Sequence, residues 1–106
     1  MRKILFLWLL ANLGFSQEVV VFPKIKWHFS SPYGIATDRE GNLYIADSGN
    51  HRIQKLSPSG ELIFQIGSFG EDPGQFNSPY DVAVDENGEI FVADTWNNRV
   101  QRFTKD

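Results

Sequence analysis

From residue 33 to residue 103, short apolar runs alternate with clusters of Gly, Asp, Asn, Ser and Pro. Tyr33–Thr37, Leu43–Asp47, Arg52–Leu56 and Leu62–Ile66 are rich in aromatic and β-branched residues and predict four strands. Tyr80–Val84, Ile90–Asp94 and Arg99–Phe103 predict three more. The segments between them carry turn chemistry. Asp38-Arg39-Glu40-Gly41 and Asp85-Glu86-Asn87-Gly88 place Asp first and Gly fourth, where a carboxylate takes up nearby N–H groups and Gly accepts a positive φ. Ser57-Pro58-Ser59-Gly60 is a further turn, and Gly67 to Pro79 is a Gly- and Pro-rich crossover. Alternation within the strands is weak: Leu43-Tyr44-Ile45-Ala46 is apolar on both faces, as in a sheet covered on both sides.

The pattern occurs twice. Ser31–Leu56 and Ser78–Phe103 align at a constant offset of 47 without a gap, and 11 positions are identical. These include Ser31/Ser78, Pro32/Pro79, Tyr33/Tyr80, Asp47/Asp94, Asn50/Asn97 and Arg52/Arg99. Four short antiparallel strands per repeat of this length form the blade of a β-propeller; a sandwich is the fallback. The expected fold is all-β: a partial propeller of two four-stranded antiparallel blades, the second lacking its fourth strand. An N-terminal strand is expected before them, after a signal-peptide helix. The expected divisions are a signal peptide at 1–16, an edge strand and crossover at 17–30, blade 1 at 31–77 and blade 2 at 78–106. Val19–Trp27, with Pro23 and two lysines, fits an edge strand.

Residues 1–16 read as an address. Arg2 and Lys3 precede an apolar stretch, Ile4 to Phe15, of 12 residues, and Gly14 and Ser16 fit a cut before Gln17. A bilayer span needs about 20 residues, so no stable membrane span is expected. The expected location is secreted or periplasmic. Removing 1–16 leaves eight Lys and Arg against 13 Asp and Glu, an acidic balance that argues against nucleic acid as a partner. The absence of Cys excludes disulfides, Cys-ligated metals and a thiol nucleophile.

Asp47 and Asp94 end second strands and Arg52 and Arg99 open third strands. Each carboxylate is expected to accept turn N–H groups and to pair with the guanidinium across the hairpin. Recurrence at the same blade position makes this a structural network, together with Asp38, Gly41, Asp85 and Gly88. The hairpin loops Asp47–Arg52 and Asp94–Arg99 emerge at one end of both blades, and Asn50, His51, Trp96, Asn97 and Asn98 are the binding candidates there. Trp96 replaces Gly49, and His51 stands where the second copy has Asn98. Trp96 is either an exposed anchor or a side chain lying flat on a neighbouring blade. No catalytic residue, metal ligand or cofactor site is expected: His51 has no second His beside it, and Gly67–Gly74 lacks the features of a phosphate cradle.

The stretch from Gly74 to Gln101, with its Gly-Gln-Phe, Pro-Tyr, Val-Ala-Val-Asp, Val-Ala-Asp and Asn-x-Arg-Val-Gln elements, resembles the NHL repeat; Pro32 to Gln54 resembles it again. The second copy departs at Asp81, where the first has Gly34. The resemblance implies a ring that usually has six blades, of which this chain holds two. Two readings stay open: the N-terminal piece of a longer propeller, or three chains completing one ring as a homo-oligomer, each N-terminal strand adding to its neighbour. The functional expectation is an exported, non-catalytic module that binds a protein or glycan. The alternative is the N-terminal fragment of a secreted propeller enzyme of lyase or lactonase type, whose active site needs further blades.

Overall fold

Asp38 organises the turn at Asp38–Gly41. Its Oδ1 accepts the N–H groups of Glu40 and Asn42, each at 3.0 Å, and Gly41 closes the turn at φ +83°. Asp85 does the same for Asn87 and Glu89 at 2.9 Å each, with Gly88 at φ +82°. Both turns therefore form as the sequence predicts, and each joins two antiparallel strands. This is a computed structural model describing residues 28–105. The signal peptide at 1–16 and the edge strand over Val19–Trp27 lie outside the described residues.

Seven strands follow in chain order: β1 Pro32–Thr37, β2 Leu43–Asp47, β3 Arg52–Leu56, β4 Leu62–Ile66, β5 Asp81–Val84, β6 Ile90–Asp94 and β7 Arg99–Phe103. They make two antiparallel sheets with neighbours in sequence order, β1-β2-β3-β4 and β5-β6-β7. The architecture is thus all-β, a partial propeller with one full blade and one of three strands. Five strands begin and end where the apolar runs do. The first strand of each sheet differs: β1 starts one residue earlier, at Pro32, and β5 one later, at Asp81. A bulge between Pro32 and Gly34 accounts for the first. Each β2–β3 and β6–β7 hairpin turns through a 3-10 turn, Ser48–Asn50 and Thr95–Asn97.

The core lies between the sheets. Tyr44, Ala46 and Ile53 of the first blade cluster with Phe76, Val82, Ile90 and Val92, all buried. The repeat makes this arrangement asymmetric. Tyr44, Ala46 and Ile53 lie on one face of the first sheet, and Val82, Ile90 and Val92 correspond to Ile35, Leu43 and Ile45 on the opposite face of that unit. One face of blade 1 thus covers the opposite face of blade 2, as stacked repeats require. β5 packs beside β1 and β2, so the two first strands are closest neighbours. Gly34 permits this approach: a Cβ there would lie 2.7 Å from the Tyr80 carbonyl oxygen and from Asp81 Cα.

Candidate functional site

The hairpin turns Asp47–Arg52 and Asp94–Arg99 carry the predicted candidates, and each is built around a fully buried carboxylate. Asp47 Oδ2 accepts from Asn50 Nδ2 (2.9 Å), Arg52 Nε (2.8 Å) and Gln54 Nε2 (3.3 Å). Asp94 Oδ2 accepts from Asn97, Arg99 and Gln101 at the same three distances. The predicted ion pairs are therefore present. The backbone partners differ from the expectation of turn N–H groups. Asp47 Oδ1 accepts the N–H of Ser30, and Asp94 Oδ1 that of Asn77. Neither carboxylate caps its own 3-10 turn. Each instead ties the segment entering its blade to the hairpin end of that blade. Burial alone would raise the Asp94 carboxyl; hydrogen bonds from Asn77, Asn97, Arg99 and Gln101 outweigh it and hold it below the usual carboxylate range.

Asn50, Asn97, Arg52 and Arg99 reach beyond these carboxylates. Asn50 Nδ2 and Arg52 donate to the His28 carbonyl, and Asn97 Nδ2 donates to that of Gly70. Arg99 donates to the carbonyls of Glu71, Asp72 and Gln75. These donors fasten the segments that enter the two blades.

His51 joins the two copies. Its Nδ1 accepts the Ser78 N–H at 2.9 Å, and its ring meets Phe69 edge to face with centroids 4.8 Å apart. Beside it, Ser48 Oγ donates to the Pro79 carbonyl. Asn98, at the position of His51, shares its left-handed backbone, with φ +53° in both. Its side chain makes no hydrogen bond among the described residues and is exposed.

Among the described residues Trp96 is 64% exposed. Its Nε1 donates to Tyr80 Oη at 3.2 Å, and the Tyr80 ring stacks on Tyr33 at 4.6 Å between centroids and 25° between planes. The three rings form one exposed aromatic surface. Sequence reading found Trp96 and missed the tyrosines, although their identical places in adjacent copies put them at the entries to neighbouring blades. The turn itself does not need a side chain at this position. The equivalent Gly49 sits in a turn of the same geometry, where a Cβ would lie 2.7 Å from the Ser30 carbonyl oxygen.

A cavity of about 280 Å³ lies between the β1–β2 and β5–β6 turns, lined in part by Asp38, Tyr44, Lys55, Asp85 and Phe103. Its principal carboxylate is already engaged: Asp38 Oδ2 accepts from Tyr44 Oη (2.9 Å) and Asn42 Nδ2 (3.0 Å). Burial would raise this carboxyl, yet the hydrogen bonds from Asn42, Tyr44 and Glu40 lower it to about 2.

The family description "NHL repeat" matches residues 29–56 and 76–103, just over half of the chain. The chain belongs to the NHL-repeat family. The matched segments take in every strand except β4, together with both hairpin turns and their carboxylate networks. Among curated proteins, Protein brain tumor of Drosophila melanogaster is 35% identical over 54 residues. The match covers 51% of this chain and 5% of that relative's length. Seen as an NHL unit, each copy keeps the Asp, Asn, Arg and Gln of the network. Trp96, His51 and Asn98 are among the hairpin positions where the copies differ. No helix among the described residues is long and apolar enough to cross a membrane.

Proposed function

We propose that this chain is an exported, non-catalytic protein-binding module built on NHL-type blades, with Trp96 as the anchor of its contact surface. The carrying observation is that Trp96 is exposed and surplus to its turn, yet fixed in place through Tyr80. Trp and Tyr supply large contact area at low entropic cost and dominate binding energy at interfaces. The recurring polar residues of the hairpins are consumed by the architecture, which argues for contact rather than catalysis. Support for export comes from the cation-then-apolar pattern of residues 1–16.

The test is binding of the purified full chain to a peptide array and a glycan array, compared with Trp96→Ala. Binding confined to peptides, and weakened at least about tenfold by the substitution, is the expected result. Equal binding by both proteins, silence on both arrays, or binding to glycans alone contradicts the reading.

A further inference from the structure

The aromatic surface at Trp96 sits in a charge pattern of its own. Among the described residues, the lysines and arginines at the hairpin end of the two blades are Arg52 and Arg99, and both are committed. Arg52 pairs with Asp47 and donates to Gln65 and the His28 carbonyl. Arg99 pairs with Asp94 and donates to the carbonyls of Glu71, Asp72 and Gln75. They balance the two buried carboxylates. Glu71, Asp72 and Asp81 remain at this end, exposed and without an ion pair among the described residues. Arg39, Lys55, Arg102 and Lys105 lie towards the opposite end, at the β1–β2 and β5–β6 turns. There Lys55 pairs with Asp38, Arg102 with Glu89, and Lys105 lies beside Gly88.

The exposure of this surface belongs to the repeat itself. Gly49, the equivalent of Trp96, is exposed although blade 2 stands beside its blade. Phe69, Glu71 and Asp72 lie in the crossover that joins the two blades, and Phe69 is 65% exposed with both blades in place. The parts are tied together by short contacts. The Asn77 carbonyl accepts the Trp96 N–H, and the Ser78 N–H donates to His51, against whose ring Phe69 stands. Asn97, next to Trp96, donates to the Gly70 carbonyl, between Phe69 and Glu71.

We infer that the protein partner held at Trp96 presents a basic, arginine-bearing segment. The inference rests on the protein-binding reading above and names the partner's chemistry. A guanidinium is drawn to the face of an indole, the best of the aromatic acceptors. It also meets carboxylates in a two-pronged geometry that an ammonium lacks. The Trp96 Nε1 is already given to Tyr80, so the ring offers a partner its face rather than its donor. One arginine lies over that face. A second, a few residues on, reaches Glu71 and Asp72, and its apolar stem covers Phe69. The uncompensated acids of this end draw such a segment in and repel an acidic one.

The experiment titrates a synthetic peptide of alternating arginine and glycine into the full-length chain by calorimetry, with the matching glutamate–glycine peptide as the comparison. The protein variants are Trp96→Ala, Glu71→Gln with Asp72→Asn, and, at the opposite end, Glu40→Gln with Glu86→Gln. All five side chains are exposed, and unchanged melting confirms that each variant folds. The expected result is saturable binding of the arginine peptide alone, weaker at about 0.3 M salt than at low salt. Trp96→Ala weakens it at least about tenfold. Glu71→Gln with Asp72→Asn weakens it about threefold or more, and the pair at the opposite end leaves it unchanged. The charge pairs remain decisive if Trp96→Ala is unstable. Absent binding, equal binding of the glutamate peptide, indifference to Trp96→Ala, or an equal loss from the two charge pairs overturns the inference. If Trp96-dependent binding on the peptide array falls on sequences without arginine or lysine, this inference fails and the protein-binding reading stands.

Discussion

His51 Nδ1 accepts the backbone N–H of Ser78 at 2.9 Å, so a side chain of the first repeat's hairpin holds the strand entry of the second. His51→Ala leaves that half-buried N–H without its acceptor, a loss of about 1–3 kcal/mol. The left-handed backbone of His51 adds a second requirement, which Asn meets better than Ala. The expected order of stability in urea unfolding is wild type, His51→Asn, then His51→Ala.

Asp94 gathers an N–H from the crossover and three side chains of its own hairpin onto one fully buried carboxylate. Removing one partner of a buried pair costs about 3–5 kcal/mol. Arg99 keeps 30% of its side-chain surface in water, which places Asp94→Ala near the lower end, at about 3 kcal/mol. Loss of the cooperative unfolding transition at 37 °C checks this.

Acid should loosen the fold through the same groups. Asp38 and Asp94 are both depressed in the folded state, so the unfolded chain binds more protons on acidification. Their contribution is complete above the ordinary carboxylate range and is lost as pH falls through it towards about 2, the Asp38 value. Urea midpoints measured from pH 6 to pH 2 should fall steadily, and Asp38→Asn should flatten that slope. A midpoint rising with acid contradicts the assignment.

Gly34 is required by proximity. Gly34→Ala places a methyl group 2.7 Å from the backbone of Tyr80 and Asp81 and forces β1 and β5 apart. The expected cost is about 1–3 kcal/mol, typical of overpacking, read as a lowered melting temperature. Trp96→Gly, which copies Gly49, should by contrast move stability by no more than about 0.5 kcal/mol.

Much of this fold is written in the repeat. Leu43–Asp47, Arg52–Leu56 and their counterparts 47 residues on become strands with the predicted ends, because Asp-x-x-Gly turns and Asn-containing hairpins punctuate them. The first strands shift by one residue at each copy, where local pattern gives way to the bulge at Pro32 and to Asp81. The Asp–Arg pairs were legible from recurrence. Their third partners, the N–H groups of Ser30 and Asn77, were not, since those contacts span 17 residues and depend on how the crossover returns over its blade. Trp96 stood out as a departure between copies. Its bond to Tyr80 and the Tyr33–Tyr80 stack arise only when two blades are placed side by side, which strand patterns within one blade do not encode.

The account's central claim is that equivalent positions of the two repeats have opposite environments, one face covered by the neighbouring copy and the other left open. Solvent paramagnetic relaxation of methyl groups in the full-length chain reads this directly. Strong broadening of Val100 with protection of its equivalent Ile53 is the predicted result, and equal protection of the two would contradict it.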